Sequence, residues 1–131
     1  MVDAVCMMLV MHPENFDIMV MPNLYGDIVS DLTSGLIGGL GLLPSSNIGD
    51  RLAMFEAVHG SAPDIAGKGV ANPTAFLWSA CMMLEHLGDS ETAARIRRAV
   101  DETLKEASRL TPDLGGTATT QEYTQAIIQR L

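Results

Sequence analysis

Two carboxylates, Asp27 and Asp31, stand four residues apart in the segment Gly26-Asp27-Ile28-Val29-Ser30-Asp31. On a helix that spacing puts both on one face, within reach of a single cation. Hard divalent ions such as Mg²⁺ or Mn²⁺ take several oxygen ligands and keep waters that a substrate oxygen can displace. The competing reading is a pair of acidic side chains that stabilise a helix N-terminus through its dipole. Spacing alone does not separate the two. Asp3, the lone acid in an otherwise apolar opening, is a third candidate ligand, with a first-turn helix residue as its alternative. His12 and His86 have no partner pattern and read as solvated or helix-end residues.

The run His59-Gly60-Ser61-Ala62-Pro63-Asp64-Ile65-Ala66-Gly67 is the most informative in the chain. Its glycines and small side chains let backbone approach a ligand closely. Asp64 can accept hydrogen bonds from a ribose diol and repel a 2′-phosphate, the logic by which an acidic residue selects NAD. A surface loop made of turn residues is the alternative. The glycines before Pro44 do not make a dinucleotide fingerprint: Gly39 to Pro44 reads G-x-G-x-x-P, without the third glycine.

These residues need elements to position them. Residues 2–11 have helical spacing, with Val5, Met8 and Leu9 on one face. Residues 16–21 form a short apolar run with β-branched members, which predicts a buried strand. A helix is expected from about Gly26 to Ile37, stopped by Gly38, Gly39 and Gly41. Residues 44–50 read as loop and residues 53–58 as a second strand. Asn72-Pro73 predicts a helix start, with an N-cap followed by proline, and that helix runs to about Leu87 before Gly88. Residues 90–109 carry an apolar stripe of Ala93, Ile96, Val100, Leu104 and Ala107, with Glu91–Arg95 and Asp101–Lys105 pairs on the wet side. Leu114-Gly115-Gly116 is a turn, and residues 120–131 a final helix. The expected class is α/β, with several helices and too few strands for a complete sheet.

Composition narrows the partners. A net charge of −8 with only 8 Lys and Arg excludes a phosphate-tracking nucleic-acid surface. It leaves open a nucleotide held by backbone N–H groups. A hydrophobic share of 47% and nine Met in 131 residues suggest surface covered by another chain. Cys6 and Cys81 lie in apolar segments outside any CxxC pair and read as reduced, buried thiols. The opening has no basic leader and no apolar stretch is long enough to span a bilayer, so a cytoplasmic protein without membrane contact is expected.

Taken together, three stretches resemble the β-decarboxylating dehydrogenases, the family of isocitrate, isopropylmalate, homoisocitrate and tartrate/malate dehydrogenases. They are Asn23 to Asp31 with the glycines up to Gly41, Phe55 to Lys68 with Ala71-Asn72-Pro73, and Leu110 to Gly116. The likeness implies part of an isopropylmalate dehydrogenase-like fold, not a Rossmann fold, taken from its C-terminal portion. Residues 1–37 would be a remnant of the small, dimer-forming domain with metal-binding aspartates. Residues 38–131 would be the C-terminal part of the large cofactor-binding domain.

The same resemblance implies NAD and Mg²⁺ or Mn²⁺ as cofactors, a small hydroxy-acid substrate and a homo-oligomer, dimer or higher. Asp27 and Asp31 would ligate the metal, joined by Asp3 lent from a neighbouring subunit. His59, Gly60, Ser61, Ala62, Pro63, Asp64 and Ile65 would contact the adenosine half of the cofactor, with Asn72 beside the adenine. Glu56 and the turn at residues 47–49 would border that site, and Asp113 would lie at its edge. Asn23 to Leu32, the glycine run, Ser46 to Asp50 and Asn72 to Ala75 are most similar to NAD-dependent isocitrate dehydrogenases, implying oxidative decarboxylation of isocitrate to 2-oxoglutarate. Isopropylmalate, homoisocitrate or tartrate is the alternative substrate. A truncated, non-catalytic, oligomerising fragment with weak nucleotide binding is the alternative of another class. Family members are much longer, and their catalytic Tyr and Lys and substrate-binding Arg residues have no counterpart here. No catalytic residue is identifiable, and the isolated chain is expected to be inactive.

Overall fold

The computed structural model describes every residue from Met1 to Leu131. It contains five α-helices and two strands, and separates into two compact units, Met1–Gly39 and Leu40–Leu131. No helix is long and apolar enough to cross a membrane.

The first unit is a helix pair. Helix α1 spans Val2–Met11 and packs on α2, which spans Asn23–Leu36. Of the expected face of α1, only Leu9 is fully buried; on α2 the buried residues are Val29 and Ser34. The helix ends as its sequence requires. Gly38 and Gly39 take φ of 114° and 111°, and the Gly39 N–H donates to the Ser34 carbonyl at 2.7 Å.

The strand expected over residues 16–21 does not form. The single sheet lies in the other unit, so these residues have no ladder partner, and Ile18 and Val20 stand 87% and 94% exposed. An apolar run makes a strand only where another strand accepts its backbone hydrogen bonds.

The second unit is layered. Strand β1 (Pro44–Ile48) pairs antiparallel with β2 (Ala53–Ala57) in the register Pro44↔Ala57 to Ile48↔Ala53. The Gly49 N–H closes the hairpin onto the Leu52 carbonyl at 2.9 Å. Residues 44–48 therefore form a strand where a loop was expected. Ser-Ser-Asn has little strand propensity of its own, and pairing with β2 imposes the extended form. The cross-strand bond from Asn47 Nδ2 to Glu56 Oε1, at 3.3 Å, adds to it.

The hairpin packs on α3 (Thr74–His86), α3 on α4 (Ser90–Leu104), and α4 on α5 (Thr120–Ile128). Their core is Ala99, Val100, Tyr123 and Ile127, with Leu77, Trp78, Ile96, Leu104 and Leu110 packed around it. The Asn72 carboxamide oxygen accepts from the Thr74 N–H at 3.0 Å, and Asp89 accepts from the Thr92 N–H at 3.1 Å. Each satisfies one of the N–H groups left open at a helix start.

Helix α4 is shorter than its stripe suggested. It stops at Leu104, and Ala107 falls in an exposed turn. Glu106 leaves helical geometry, and Arg130 Nη2 donates to its carboxylate at 2.6 Å. Neither of the expected four-apart ion pairs forms: Arg95 donates instead to the Leu131 carbonyl, Asp101 and Lys105 take part in no ion pair, and Arg97, outside both pairs, bridges to Glu85 of α3 at 3.0 Å. Exposed pairs of that spacing contribute only about 0.3–0.5 kcal/mol, so tertiary partners displace them readily. Arg97 also holds the Glu85 carboxyl below the usual carboxylate range through the hydrogen bond between them. Of the two thiols, Cys81 is buried and burial pushes its pKa up, while Cys6 is only half-buried.

Candidate functional site

The second unit holds a cavity of about 580 Å³. Sites for small molecules and cofactors run from about 300 to 1,000 Å³, so it has the capacity for a nucleoside. The loop after β2 supplies much of its lining, joined by Leu40, Gly41, Asn72 and Asp113.

The loop is a succession of tight turns. The Ile65 N–H donates to the Ala62 carbonyl at 3.1 Å, Ala66 to Pro63 at 3.4 Å and Lys68 to Ile65 at 3.1 Å. Gly67 and Gly69 take positive φ, as glycines can. Ala62 does so as well, at φ 41°, and is the only non-glycine residue in the chain to do it. Such a conformation costs on the order of 1 kcal/mol and persists only where its surroundings impose it; strain of this kind clusters at ligand sites.

Three segments distant in the chain meet in the cavity lining. Asn72 Nδ2 donates to Asp113 Oδ2 at 2.9 Å, while the oxygen of the same carboxamide caps α3. Gly41 lies against both: a Cβ there would stand 3.2 Å from Asp113 Oδ2 and 3.4 Å from Asn72 Cβ. The Asn72 carboxamide is thus engaged at both ends by protein groups.

Of the ten residues expected to contact a cofactor, seven line this cavity: His59, Gly60, Ser61, Ala62, Ile65, Asn72 and Asp113. Pro63 and Asp64 lie on the same turn, both exposed, but are not part of the lining. Glu56 projects from β2 toward Asn47, and neither it nor residues 47–49 line the cavity. Ala71, in the stretch that resembles the family's cofactor loop, lines it as well, and so do Gly41 and Val70, which were not expected to. The adjacency of Val70 to Ala71-Asn72-Pro73 was the available signal. Gly41 carried none beyond being a glycine.

The carboxylate pair belongs to the first unit. Asp27 and Asp31 sit one turn apart on α2, both exposed, and neither takes part in an ion pair. The helix begins at Asn23, earlier than expected, so its first turn contains no acidic residue. A dipole effect fades beyond the first turn, which weakens the alternative account of these aspartates. Asp3 lies in the first turn of α1, where its carboxylate accepts from the Ala4 N–H at 2.9 Å. No group of three or more His, Cys, Asp or Glu side chains gathers in the chain at metal-binding distance.

Comparison with known proteins bears directly on this arrangement. Residues 1–127 match the family model described as isocitrate/isopropylmalate dehydrogenase. An isocitrate/homoisocitrate dehydrogenase of Thermus thermophilus is 61% identical over 130 residues, covering 99% of this chain and 39% of that protein. A 3-isopropylmalate dehydrogenase of Archaeoglobus fulgidus is 55% identical, with 99% and 40% covered. The mitochondrial alpha subunit of NAD isocitrate dehydrogenase from Homo sapiens is 57% identical, with 98% and 36% covered. Among solved structures, isocitrate dehydrogenase from Methylococcus capsulatus superposes with a TM-score of 0.92 at 54% identity, over 98% of this chain and 39% of its own. A β-decarboxylating dehydrogenase from Thermococcus kodakarensis gives 0.84 at 43% identity. The chain thus spans about two-fifths of the length of these relatives. Matched along nearly its whole length in sequence and in backbone, the chain belongs to the isocitrate/isopropylmalate dehydrogenase family.

Proposed function

We propose that this chain supplies the adenosine-holding site and two metal-binding carboxylates of an NAD- and Mg²⁺- or Mn²⁺-dependent oxidative decarboxylase of a 2-hydroxy acid, isocitrate foremost. The observation that carries the proposal is the cavity walled by residues 59–71, a loop of small residues held in turns. When bound, the nicotinamide cofactor accepts a hydride and the divalent ion lends Lewis acidity to substrate oxygens.

The chain's own residues bind and orient. Leu40, Ile65 and Val70 offer apolar walls to a base, and the Gly60–Ala62 backbone can approach ribose and phosphate without side chains intervening. Asp64, exposed on the same turn, is proposed to accept from the ribose hydroxyls and to repel a 2′-phosphate. Asp27 and Asp31 fit two positions of a hard cation's oxygen shell. Asp3 is proposed to complete it across a subunit boundary in a homo-oligomer formed through the first unit. The free thiols Cys6 and Cys81 fit a reducing compartment such as the cytoplasm.

Isopropylmalate is the alternative substrate, favoured by the 55% identity to the 3-isopropylmalate dehydrogenase of Archaeoglobus fulgidus. A binding segment without turnover is the other reading, favoured by the two-fifths coverage of the relatives. Incubating the protein with isocitrate or isopropylmalate, NAD and Mg²⁺ while following NADH absorbance separates these readings. NADH with one substrate names it; none with either leaves the binding role, which calorimetric titration with NAD tests. Failure to bind NAD would remove the cavity from the proposal. Asp64→Lys should shift preference from NAD toward NADP, and an unchanged ratio would take Asp64 out of the cofactor role.

A further inference from the structure

Residues 69–72 line the cavity without belonging to any helix or strand. Something outside the segment must therefore set its path, and the bonds that do so come from the start of α5. The Thr120 N–H donates to the Gly69 carbonyl at 2.8 Å, and the Thr120 hydroxyl to the Ala71 carbonyl at 2.5 Å. Three residues further along each partner, the Tyr123 and Thr74 hydroxyls share a hydrogen bond of 2.8 Å, with both residues fully buried. Helix α5 is thus fastened along the segment that leads from the cavity into α3.

The chemistry of a helix start explains why Thr120 can do this. The first N–H groups of a helix have no acceptor within it. Thr119 and Glu122 form a reciprocal capping box, the Thr119 hydroxyl accepting from the Glu122 N–H and the Glu122 carboxylate from the Thr119 N–H. The N–H of Thr120 is left over, and it is spent on Gly69. Its hydroxyl, instead of bonding back within α5, reaches Ala71.

We propose that Thr120 is a positioning residue: it touches no ligand, but it fixes the Gly69–Ala71 backbone against which a nucleotide lies. The proposal rests on the reading of the cavity as the adenosine site. Its test is a calorimetric titration of the protein with ADP. Thr120→Val keeps the side chain's shape and the backbone N–H but loses the hydroxyl, and should weaken ADP roughly fivefold. Thr120→Ser keeps the hydroxyl and should bind as the parent does. Hydrogen exchange without ligand should quicken at the Thr120 amide, which donates to Gly69, in the valine variant and stay unchanged in α4.

Parent-like ADP affinity in Thr120→Val would overturn the proposal, as would equal weakening in the serine variant. Accelerated exchange throughout the unit would overturn it too, because it would make Thr120 a general stabiliser. Absence of ADP binding to the parent protein would sink the cavity reading itself, and the positioning role with it.

Discussion

The two units make opposite provisions for their apolar residues. In Leu40–Leu131 the buried Ala99, Val100, Tyr123 and Ile127 of α4 and α5 form a connected core with Leu77 and Trp78 of α3 packed against it, and the cavity is built wholly from residues of that unit. In Met1–Gly39 the fully buried apolar residues are Leu9 and Val29, while Met11, Ile18, Val20 and Leu24 stand 59%, 87%, 94% and 64% exposed. A helix pair with so little interior gains little from its own packing. The cavity therefore has its support inside the chain. The aspartate pair is carried by the thinly cored unit, whose own packing gives it little rigid setting.

The largest effect that would break this contrast is at Gly116. A Cβ there would lie 1.9 Å from the Leu110 carbonyl oxygen, a backbone atom that cannot swing aside. The same stretch is closed by the Ala118 N–H on Leu110 and the Gly116 N–H on Thr111. Gly116→Ala should destabilise the second unit by about 3 kcal/mol. Trp78, the single tryptophan, packs against that unit's core and reports its melting by fluorescence. An unchanged midpoint would mean that the loop is not fixed by the core beside it.

Next comes Tyr123→Phe, which leaves the buried Thr74 hydroxyl without its partner and should cost about 1–2 kcal/mol by the same fluorescence. Burial raises the Tyr123 pKa above its ordinary value. A group whose folded pKa is raised stabilises while protonated, so its contribution is complete below the ordinary phenol range and is lost as pH rises through the folded value. The parent should therefore lose stability above about pH 10 more steeply than Tyr123→Phe. Parallel alkaline curves would show that the phenol titrates alike in the folded and unfolded chains, so that burial does not raise its pKa.

Glu122→Gln is smaller and acts at the other end of the pH scale. Hydrogen bonds from the Thr119 backbone and hydroxyl hold this carboxyl below the usual carboxylate range. Its contribution is present above that range and is lost as pH falls through the depressed value. The variant should melt slightly lower at neutral pH, and the difference should vanish in acid. A constant difference down to pH 3 would assign the effect to something other than the carboxylate.

What could be read in the residues, and what could not, follows the same division between local and distant causes. The loop after β2 was legible because its turns are made by its own glycines, proline and small side chains. Helix α3 was legible because Asn72 and Pro73 are local start signals. Strand β1 was not: Ser-Ser-Asn becomes extended only because β2 pairs with it. The meeting of Gly41, Asn72 and Asp113 joins residues far apart in the chain, and no spacing rule reaches that distance. Positive φ at Ala62 was equally hidden, since alanine carries no preference for it. Residues 16–21 misled for the converse reason, having the composition of a buried strand in a unit that offers no strand to pair with.

The smallest expected effect is also the one that sharpens the contrast most. Ile18→Ser and Val20→Ser remove apolar side chains that nothing within the chain covers. Truncating an exposed side chain away from any cap or network usually changes stability by less than about 0.5 kcal/mol. In dilute solution, where copies are kept apart, neither variant should move the far-ultraviolet or the Trp78 transition. Val29→Ala on the neighbouring helix, where the side chain is 1% exposed, should lower helicity at the same temperature. A midpoint that drops for Ile18→Ser or Val20→Ser as much as for Val29→Ala would show that these residues are covered in solution. The first unit would then have an interior that one chain alone does not display, and the aspartates of α2 a rigid frame to match that of the cavity.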